Sequence, residues 1–387
     1  MHIGYITSHF PFSDAKSVGG IGTSIKNLGL ELVRSGHKVS VFVYGQDNDE
    51  VLVENGIQIY KIKQAKYRFF SWWFTRKSIQ KKINLFVKQT NIDILEAPDW
   101  TGITAFMNLV VPLVIRFHGS DAYFCRLENR KQKPKNFFFE RTAITNASGY
   151  IAPTNFAGQL TASIFDLNTK GFKTIPNGLF LDRFNNEAPD VFEHGLIVYV
   201  GAIIRKKGVL ELPAILNHVI NIIPEARLLL LGSDAYDITT GSESTWQLLQ
   251  QQLDEKTASK VTFLGNTPYD VVQDYMKKAH VCVFPTFAET LGMVTIESMA
   301  LQKPVVTSNF GWSQELIVDG ESGFLCHPKD HKEFADKIIA LMTDKELAGS
   351  IGKSARKRVE LKFNIKETAK DNVAFYSEII NNKNART

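Results

Sequence analysis

The chain has 387 residues, of which 44% are hydrophobic and 22% are charged, a composition typical of globular proteins at a length that fits two or three domains. No apolar run approaches the ~20 residues that span a bilayer, and the first residues, MHIGYITSHFPF, lack the basic and apolar regions of a secretory signal. The net charge of +5 lies in the first half, because residues 1–189 carry 23 Lys and Arg against 15 Asp and Glu.

Short apolar runs alternate with helix-length segments along the whole chain. Strands are predicted at 3–9, 38–45, 57–62, 93–98, 112–119 and 149–154 in the first half, and at 196–202, 226–232, 260–265, 281–286 and 304–309 in the second. Strands that are buried on both faces read as continuous apolar runs, and their alternation with helices predicts parallel sheets covered on both sides. The expected fold is α/β, with two doubly wound, Rossmann-like domains facing a cleft.

A segment without periodicity, residues 176–195, separates the two series of strands and is rich in Asn, Asp and Pro. We therefore expect an N-terminal domain over 1–180, a C-terminal domain over 190–365 and a final helix over 366–387. In open parallel sheets, ligands bind beyond the carboxyl ends of the strands, at loops that lead into helices. The functional residues are expected at such loops.

The first of these loops is SVGGIGTSIKNL, residues 17–28. Gly19 and Gly20 would allow the backbone to approach a ligand at a helix N-terminus. The loop matches neither the dinucleotide-binding fingerprint nor a Walker loop, and no acidic residue closes the second predicted strand. A dinucleotide-dependent dehydrogenase is therefore disfavoured, while a phosphate loop and a tight turn without a ligand both stay open.

Metal sites are not indicated by the sequence. Asp47-Asn48-Asp49 matches an Asp-x-Asp pattern that other enzymes use for divalent ions, but no phosphate loop lies beside it, and a solvated turn is the favoured interpretation. Cys125, Cys282 and Cys326 are too widely spaced for a zinc site or a disulfide framework. They indicate reduced thiols in a cytoplasmic protein.

Residues 61–88 mix basic with aromatic side chains, and no acidic residue occurs between Glu54 and Asp93. The basic residues are Lys61, Lys63, Lys66, Arg68, Arg76, Lys77, Lys81, Lys82 and Lys88, and the aromatic ones are Tyr67, Phe69, Phe70, Trp72, Trp73 and Phe74. This mixture suits an anionic membrane surface or an anionic acceptor. A solvated helix whose aromatic residues pack inward is the equally favoured alternative. No nucleic-acid-binding motif accompanies the segment, so nucleic acid is not expected as a partner.

Cationic or polar side chains lie at the carboxyl ends of two predicted strands. His118 ends the strand in IRFHGSD, directly before Gly119. A lone histidine is more often structural, but the strand-end position favours a ligand site. In YVGAIIRKKGVLEL, a strand leads into a turn that carries Arg205 and Lys207 before a predicted helix. Cations at such a turn would neutralise a pyrophosphate and stabilise it as a leaving group.

The strongest signal is PTFAETLGMVTIESMALQKPVV, residues 285–306. A strand, a loop and a helix that begins near Gly292 are predicted here, with Glu289 in the loop and Glu297 on the helix. The helix start at Thr290-Leu291-Gly292-Met293 would offer N–H groups and a positive dipole end to a diphosphate. The carboxylates before and behind this anion site would accept hydrogen bonds from sugar and ribose hydroxyls.

Taken together, these segments resemble the retaining glycosyltransferases of family 4, which have the GT-B fold. The motifs run through nearly the whole chain: GGIG, FHG, PNG-x3-D-x-F, VGAIIRKKG, PTFAETLG-x4-E and NFGWSQELIVDGESGFL. The resemblance implies that Lys207 and Arg205 bind the donor diphosphate, Glu297 the ribose and Glu289 the transferred sugar. One position departs from the family, because Ala202 stands where many members have Arg, and Arg205 is the candidate replacement.

The resemblance also implies roles on the N-terminal, acceptor side. His118 would contact the sugar near its 6-position, and Gly19 and Gly20 would shape the phosphate and acceptor side. The last helix would cross back onto the N-terminal domain, and the loop 265–270 would lie near the base. Retention implies an α-linked product when the donor is an α-sugar nucleotide. The resemblance favours same-face substitution, in which the leaving diphosphate helps to deprotonate the acceptor.

The sequence therefore predicts a hexosyltransferase-type enzyme of polysaccharide biosynthesis. The expected donor is a nucleotide-diphosphate sugar, UDP-linked, and the expected acceptor is a glycan or a lipid-linked glycan. No metal and no other cofactor are expected. The predicted location is cytoplasmic, with peripheral contact to the inner membrane face through 61–88 left open. A glycoside phosphorylase or sugar-nucleotide epimerase on the same fold, and a sugar-nucleotide-binding protein without turnover, are the remaining alternatives.

Overall fold

The computed structural model describes residues 1–12, 20–167 and 171–385. Contacts divide the chain into two compact units, one of Met1–Phe180 with Asn364–Thr387 and one of Leu181–Phe363. Each unit is built around its own β-sheet with helices packed against it. No helix of the described residues is both long and apolar enough to cross a membrane.

The first unit contains the following strands and helices before the chain enters the second. They are β1 (His2–Thr7), α1 (Gly20–Arg34), β2 (Lys38–Gln46), β3 (Glu50–Glu54), β4 (Ile57–Lys63), α2 (Ser71–Thr90), β5 (Ile94–Pro98), β6 (Leu113–Arg116), α3 (Asp121–Leu127), α4 (Pro134–Thr145), β7 (Gly149–Ala152), α5 (Asn155–Phe165) and β8 (Lys173–Thr174). The sheet order is β3-β4-β2-β1-β5-β6-β7-β8. All neighbours are parallel except β3 and β4, which are antiparallel.

The core of the first unit lies on both faces of this sheet. β1 is buried along its whole length, and successive side chains of a strand point to opposite faces. Ile3 and Tyr5 therefore pack in one apolar cluster with α1, whereas Ile6 packs in a second cluster with α2. A central strand that is apolar on both faces is the pattern from which a doubly wound sheet was predicted.

The second unit repeats this architecture. It contains β9 (Leu196–Val200), α6 (Leu212–Ile222), β10 (Arg227–Leu231), α7 (Thr245–Gln250), α8 (Glu255–Ala258), β11 (Val261–Phe263), α9 (Tyr269–Lys278), β12 (Val281–Phe284), α10 (Met293–Ala300), β13 (Val305–Ser308), α11 (Gly311–Leu316), β14 (Phe324–Cys326), α12 (His331–Thr343) and α13 (Lys345–Lys362). Its sheet has the order β11-β10-β9-β12-β13-β14, with parallel neighbours throughout.

The last helix, α14 (Ile365–Asn384), belongs to the first unit. A buried polar network fixes it there. The Arg116 guanidinium donates to both carboxylate oxygens of Glu96, at 2.7 and 3.0 Å, and the Tyr376 hydroxyl donates to Glu96 Oε2 at 2.6 Å. Because each of these groups is buried, removing one partner would leave a costly unpaired charge.

The predicted α/β class with two Rossmann-like domains is confirmed, and every predicted strand forms with ends shifted by a few residues. The expectation of purely parallel sheets is wrong for β3, an exposed edge strand that pairs antiparallel with β4. Its sequence EVLVE carries acidic residues at both ends, so it does not read as an apolar run that predicts a strand. β8 and β14, which have two and three residues, were also missed.

Candidate functional site

The second unit presents two loops at the point where the order of its sheet reverses. β9 and β12 are neighbours at the centre of the sheet, and later strands are added outward from them on both sides. The loop after β9 spans residues 201–208, and the loop after β12 spans 285–292. Doubly wound domains bind ligands beside the carboxyl ends of strands at such a switch point.

Backbone contacts hold these two loops together. The N–H groups of Phe287 and Ala288 lie 2.8 and 3.4 Å from the carbonyl oxygen of Lys206, to which they donate. At Gly208 the backbone has φ +70°, and an added Cβ would lie 1.7 Å from the carbonyl oxygen of Pro285. Because only glycine permits this approach, Gly208 sets the distance between the basic turn and the loop that follows β12.

Lys207 and Glu289 form an ion pair between the two loops. Their side chains are only 22% and 19% exposed. Burial opposes the ionisation of Glu289, but the ammonium of Lys207 and the N–H of Thr290 together outweigh it and hold the pKa of the carboxyl below its usual value. The Thr290 nitrogen lies 3.2 Å from Glu289 Oε1. The site thus presents an ionised carboxylate beside an ammonium group.

The N-terminus of α10 follows this pair directly. Gly292 precedes the helix with φ +91°, so the chain turns sharply into Met293. The first N–H groups of a helix have no intrahelical acceptor and carry the positive end of its dipole. Thr290 and Leu291, which lead into this turn, are buried. The ammonium of Lys207 and the helix end therefore supply positive charge suited to a phosphate group.

Glu297 lies in the middle of α10. The residue as a whole is half-buried, and its carboxyl is hydrogen-bonded to the hydroxyl of Tyr269. Burial of the carboxyl outweighs this hydrogen bond and raises its pKa to about 7. Tyr269 begins α9 and lies within residues 265–270, the loop that is predicted to lie near the base. Nothing in GNTPYD distinguishes this tyrosine from an ordinary surface residue, so the sequence does not predict its role. A carboxyl with this pKa changes charge near neutral pH.

Arg205 contacts the carboxylate of Asp237, a residue that no motif in the sequence indicates. Its Nε and Nη2 donate to the two oxygens of Asp237, at 2.9 and 2.8 Å. The Asp237 side chain is 2% exposed, yet the hydrogen bonds from Arg205 and, to a smaller degree, Thr240 lower its pKa to about 2. Arg205 thereby ties the basic turn to the loop after β10. Its contact with a diphosphate stays a prediction.

In the first unit, His118 lies just beyond the end of β6. Burial, and to a smaller degree the charge of Arg116, lowers the pKa of its imidazole to about 3. His118 is therefore neutral at physiological pH. A neutral imidazole offers one donor and one acceptor, which suits a sugar hydroxyl better than a phosphate.

Asp99 supports the backbone at His118. It follows β5, the neighbour of β6, and its Oδ1 accepts a hydrogen bond from the His118 N–H at 2.9 Å. Burial, reinforced by the charge of Glu140, raises the pKa of Asp99 to about 7. Across the described residues, its Oδ2 has no hydrogen-bond partner. An acidic residue directly after a strand, in EAPDW, was the signal that could have identified it.

The other predicted positions are less informative. Gly20 is the first residue of α1, whereas Gly19 lies outside the described residues. Asp49 ends the turn between β2 and β3 and accepts hydrogen bonds from Lys82 Nζ at 2.6 Å and the N–H of Lys63 at 2.8 Å. In residues 1–12, 20–167 and 171–385, no three His, Cys, Asp or Glu side chains are grouped so as to hold a metal ion.

Two family models match the chain and together cover most of it. The model of Glycosyltransferase Family 4 matches residues 18–183. The model of Glycosyl transferases group 1 matches residues 185–358 and so includes both loops and α10. The chain is a GT-B glycosyltransferase of the family 4 type.

One relative of the glycosyltransferase matches nearly its full length, and another matches about half of it. A glycosyltransferase of Methanocaldococcus jannaschii is 26% identical over 399 residues, which cover 97% of this chain and 98% of the relative. The capsular polysaccharide biosynthesis glycosyltransferase CapM of Staphylococcus aureus is 32% identical over 199 residues, about half of each protein.

Solved structures agree with the fold of this glycosyltransferase. Sucrose-phosphate synthase of Thermosynechococcus elongatus superimposes with a TM-score of 0.79 at 21% identity, covering 98% of both chains. HepE of Anabaena, in complex with UDP, superimposes with a TM-score of 0.73 at 18% identity, covering 98% of this chain and all of that one. At these identities the likeness concerns the fold, which is GT-B.

Proposed function

We propose that this glycosyltransferase moves a hexosyl-type sugar from a UDP-sugar to a glycan or lipid-linked glycan, with retention of the anomeric configuration. The observation that carries the proposal is the Lys207–Glu289 ion pair at the N-terminus of α10. It combines a cation, a helix end and a carboxylate within one small region. A sugar nucleotide needs these same groups, since it joins a dianionic diphosphate to neutral hydroxyls.

UDP is proposed as the donor nucleotide because structures of proteins with the same fold contain it. Structures of HepE from Anabaena contain UDP, UDP with glucose, or UDP-glucose. A structure of TarM from Staphylococcus aureus contains UDP together with a glycosylated glycerol. These proteins share the fold of this chain, and their ligands support a uridine-linked donor for it.

A donor diphosphate would compete with Glu289 for the ammonium of Lys207. Once Lys207 contacts phosphate oxygens, the Glu289 carboxylate can accept hydrogen bonds from hydroxyls of the transferred sugar. Lys207 and the α10 dipole then stabilise the negative charge that builds on the diphosphate as the glycosidic bond breaks. Glu297 would accept hydrogen bonds from the ribose, and neutral His118 from a sugar hydroxyl.

We further propose that substitution occurs on one face of the sugar. The acceptor oxygen attacks the anomeric carbon while the diphosphate leaves from the same side and takes up the acceptor proton. An α-linked donor then gives an α-linked product. Because Lys207 and the helix end supply the positive charge, the reaction needs no divalent ion, and transfer is expected to persist in excess EDTA.

A donor screen with product analysis tests this function. Nucleotide release from a panel of UDP-, GDP- and ADP-sugars would be measured in EDTA, with oligosaccharide and polyprenyl-linked acceptors, and the new linkage assigned by NMR. We expect a UDP-sugar to be used and an α-linkage to form. Sugar release that requires inorganic phosphate would identify a phosphorylase instead, and an epimerised donor without transfer would identify an epimerase. Binding without turnover across the panel would identify a non-catalytic protein.

A further inference from the structure

The N-terminal end of α2 displays aromatic side chains to solvent. Phe70 precedes the helix with φ +48°, so the chain reverses there. Phe69 and Phe70 are 69% and 68% exposed, and Phe74, one turn into the helix, is 46% exposed. Tyr67 packs on Phe74 with ring centroids 5.4 Å apart. Contiguous exposed apolar groups of this kind mark interaction sites on soluble proteins.

α4 extends this group of rings. Phe106 lies between Trp73 of α2 and Phe138 of α4, with ring centroids 5.1 and 5.8 Å away. Phe138 is itself 54% exposed. Trp72 packs on the buried Phe139 at 5.3 Å, which fixes the two helices together. Two segments that are distant in sequence therefore contribute to one surface of the first unit.

Cations border the rings on both segments. The guanidinium of Arg68 lies 5.4 Å from the ring of Phe69, and the ammonium of Lys77 lies 5.0 Å from the ring of Trp73. On the second segment, Lys131, Lys133 and Lys135 are exposed. Neither segment contains an acidic residue, since none occurs at 55–92 or at 129–139. We call the surface formed by residues 66–77 and 131–138 the aromatic–basic face.

The structure leaves fewer cations of residues 61–88 exposed and uncompensated than the sequence indicated. Arg76 is buried, and its guanidinium donates to the carbonyl oxygens of Trp72 and Gly102. Lys61 and Lys82 form ion pairs with Glu50 and Asp49, at 2.7 and 2.6 Å. Part of the charge at 61–88 is therefore compensated or buried. The face instead gains the cations of 131–135, which sequence distance had concealed.

We propose that the aromatic–basic face docks on an anionic lipid bilayer. Aromatic rings partition to the level of the lipid headgroups, and Lys and Arg beside them are attracted by anionic lipids. A soluble polyanion would use the cations but leave the exposed rings in water. A bilayer uses both, and this favours it as the partner. The docking does not depend on which sugar is transferred.

Vesicle sedimentation of the full chain tests this docking. Vesicles of phosphatidylcholine alone would be compared with vesicles that also contain phosphatidylglycerol, at low and at physiological salt. One variant, F69S/F70S/F74S, removes exposed rings, and a second, K131Q/K133Q/K135Q, removes exposed charge. Matched controls lie in the second unit: V191S/L361S removes exposed apolar side chains, and K256Q/K332Q/K353Q removes three exposed lysines. Thermal unfolding and UDP binding confirm that each variant is folded.

We expect wild type to sediment with phosphatidylglycerol vesicles at low salt and to be released as salt rises, because salt screens the attraction. Each face variant should bind at least tenfold more weakly, and both controls should bind as wild type does. Failure of wild type to bind anionic vesicles at low salt would overturn the proposal. A second result would also overturn it: the ring variant binds anionic vesicles normally, and wild type and this variant bind heparin equally well. The face would then recognise polyanions.

Discussion

The ammonium of Lys207 contacts the carboxylate of Glu289, although 82 residues separate the two in sequence. The contact depends on the parallel packing of β9 beside β12, which brings the ends of both strands to one edge. Because both groups are largely buried, each compensates a charge that would otherwise be costly to desolvate. In the proposed function a donor diphosphate breaks this pair, so we expect the two residues to respond differently to substitution.

Lys207→Ala should weaken the stabilisation of the protein by UDP. The substitution removes a cation and leaves the Glu289 carboxylate to repel the diphosphate, so we expect UDP affinity to fall at least ~10-fold. Glu289→Gln should keep UDP affinity or raise it, because Lys207 is then released to the phosphate. Thermal shift with increasing UDP measures both effects, since ligands that bind the native state raise its apparent stability.

Lys256→Ala is the matched control for this measurement, because Lys256 is exposed on the same unit and bonds only to Asn221 among the described contacts. It should bind UDP as wild type does. Equal losses of UDP affinity in the Lys207 and Glu289 variants would argue that the pair is structural and that the phosphate binds elsewhere.

The affinity for UDP should depend on the ionisation of Glu297. Burial raises the pKa of this carboxyl to about 7, and only its ionised form accepts two hydrogen bonds from a ribose. Affinity should therefore rise up to ~10-fold between about pH 6 and about pH 8. Titration calorimetry of Glu297→Gln isolates the effect, because the variant keeps only the pH dependence of the phosphate itself. Parallel pH profiles for the two proteins would contradict the assignment.

Gly208→Ala should destabilise the second unit. A Cβ there meets the carbonyl oxygen of Pro285 and also forces alanine to φ +70°. Gly320→Ala is the control, because Gly320 has φ +72° but no atom within 4 Å of an added Cβ. Urea unfolding should show a loss at Gly208 that exceeds the loss at Gly320 by roughly 1–3 kcal/mol, the usual cost of overpacking. Equal losses would mean that the two loops do not approach so closely.

The stability of the first unit should depend on pH through the protonation of Asp99. The pKa of this carboxyl is about 7 in the folded chain and about 4 in an unfolded one. Between these values the folded state holds a proton that the unfolded state has released, so stability decreases as pH rises through that window. Asp99→Asn has no such proton. Its stability relative to wild type should improve by roughly 2 kcal/mol from about pH 5 to about pH 8, and a constant difference in urea unfolding would contradict this.

The sequence was sufficient for the fold because the central strands are apolar on both faces. Runs such as HIGYIT and RLLLL are mostly apolar on both faces, which is the pattern of strands in a sheet that helices cover on both sides. Edge strands lack that constraint, and β3 was missed for this reason. The loops around Lys207 and Glu289 were located correctly at the ends of strands, since strand ends can be read from the sequence.

Side-chain contacts that depend on tertiary packing could not be predicted from the sequence. Asp237 lies 32 residues after Arg205, in a loop without a motif, and the hydroxyl of Tyr269 approaches Glu297 only because α9 begins beside α10. Asp99 had a visible strand-end position, but its raised pKa arises from burial and from Glu140. In each case the deciding contact is tertiary, and a single sequence carries no record of it.

We propose that Lys207 and Glu289 are the charged groups that make sugar transfer possible. The most direct test is the turnover of Lys207→Ala and Glu289→Ala, measured as UDP release in excess EDTA with the donor and acceptor that wild type uses. We expect each variant to lose on the order of 10²–10³-fold in kcat, because each substitution removes a preorganised contact to the reacting groups. Near-normal turnover in both folded variants would contradict the assignment of this site.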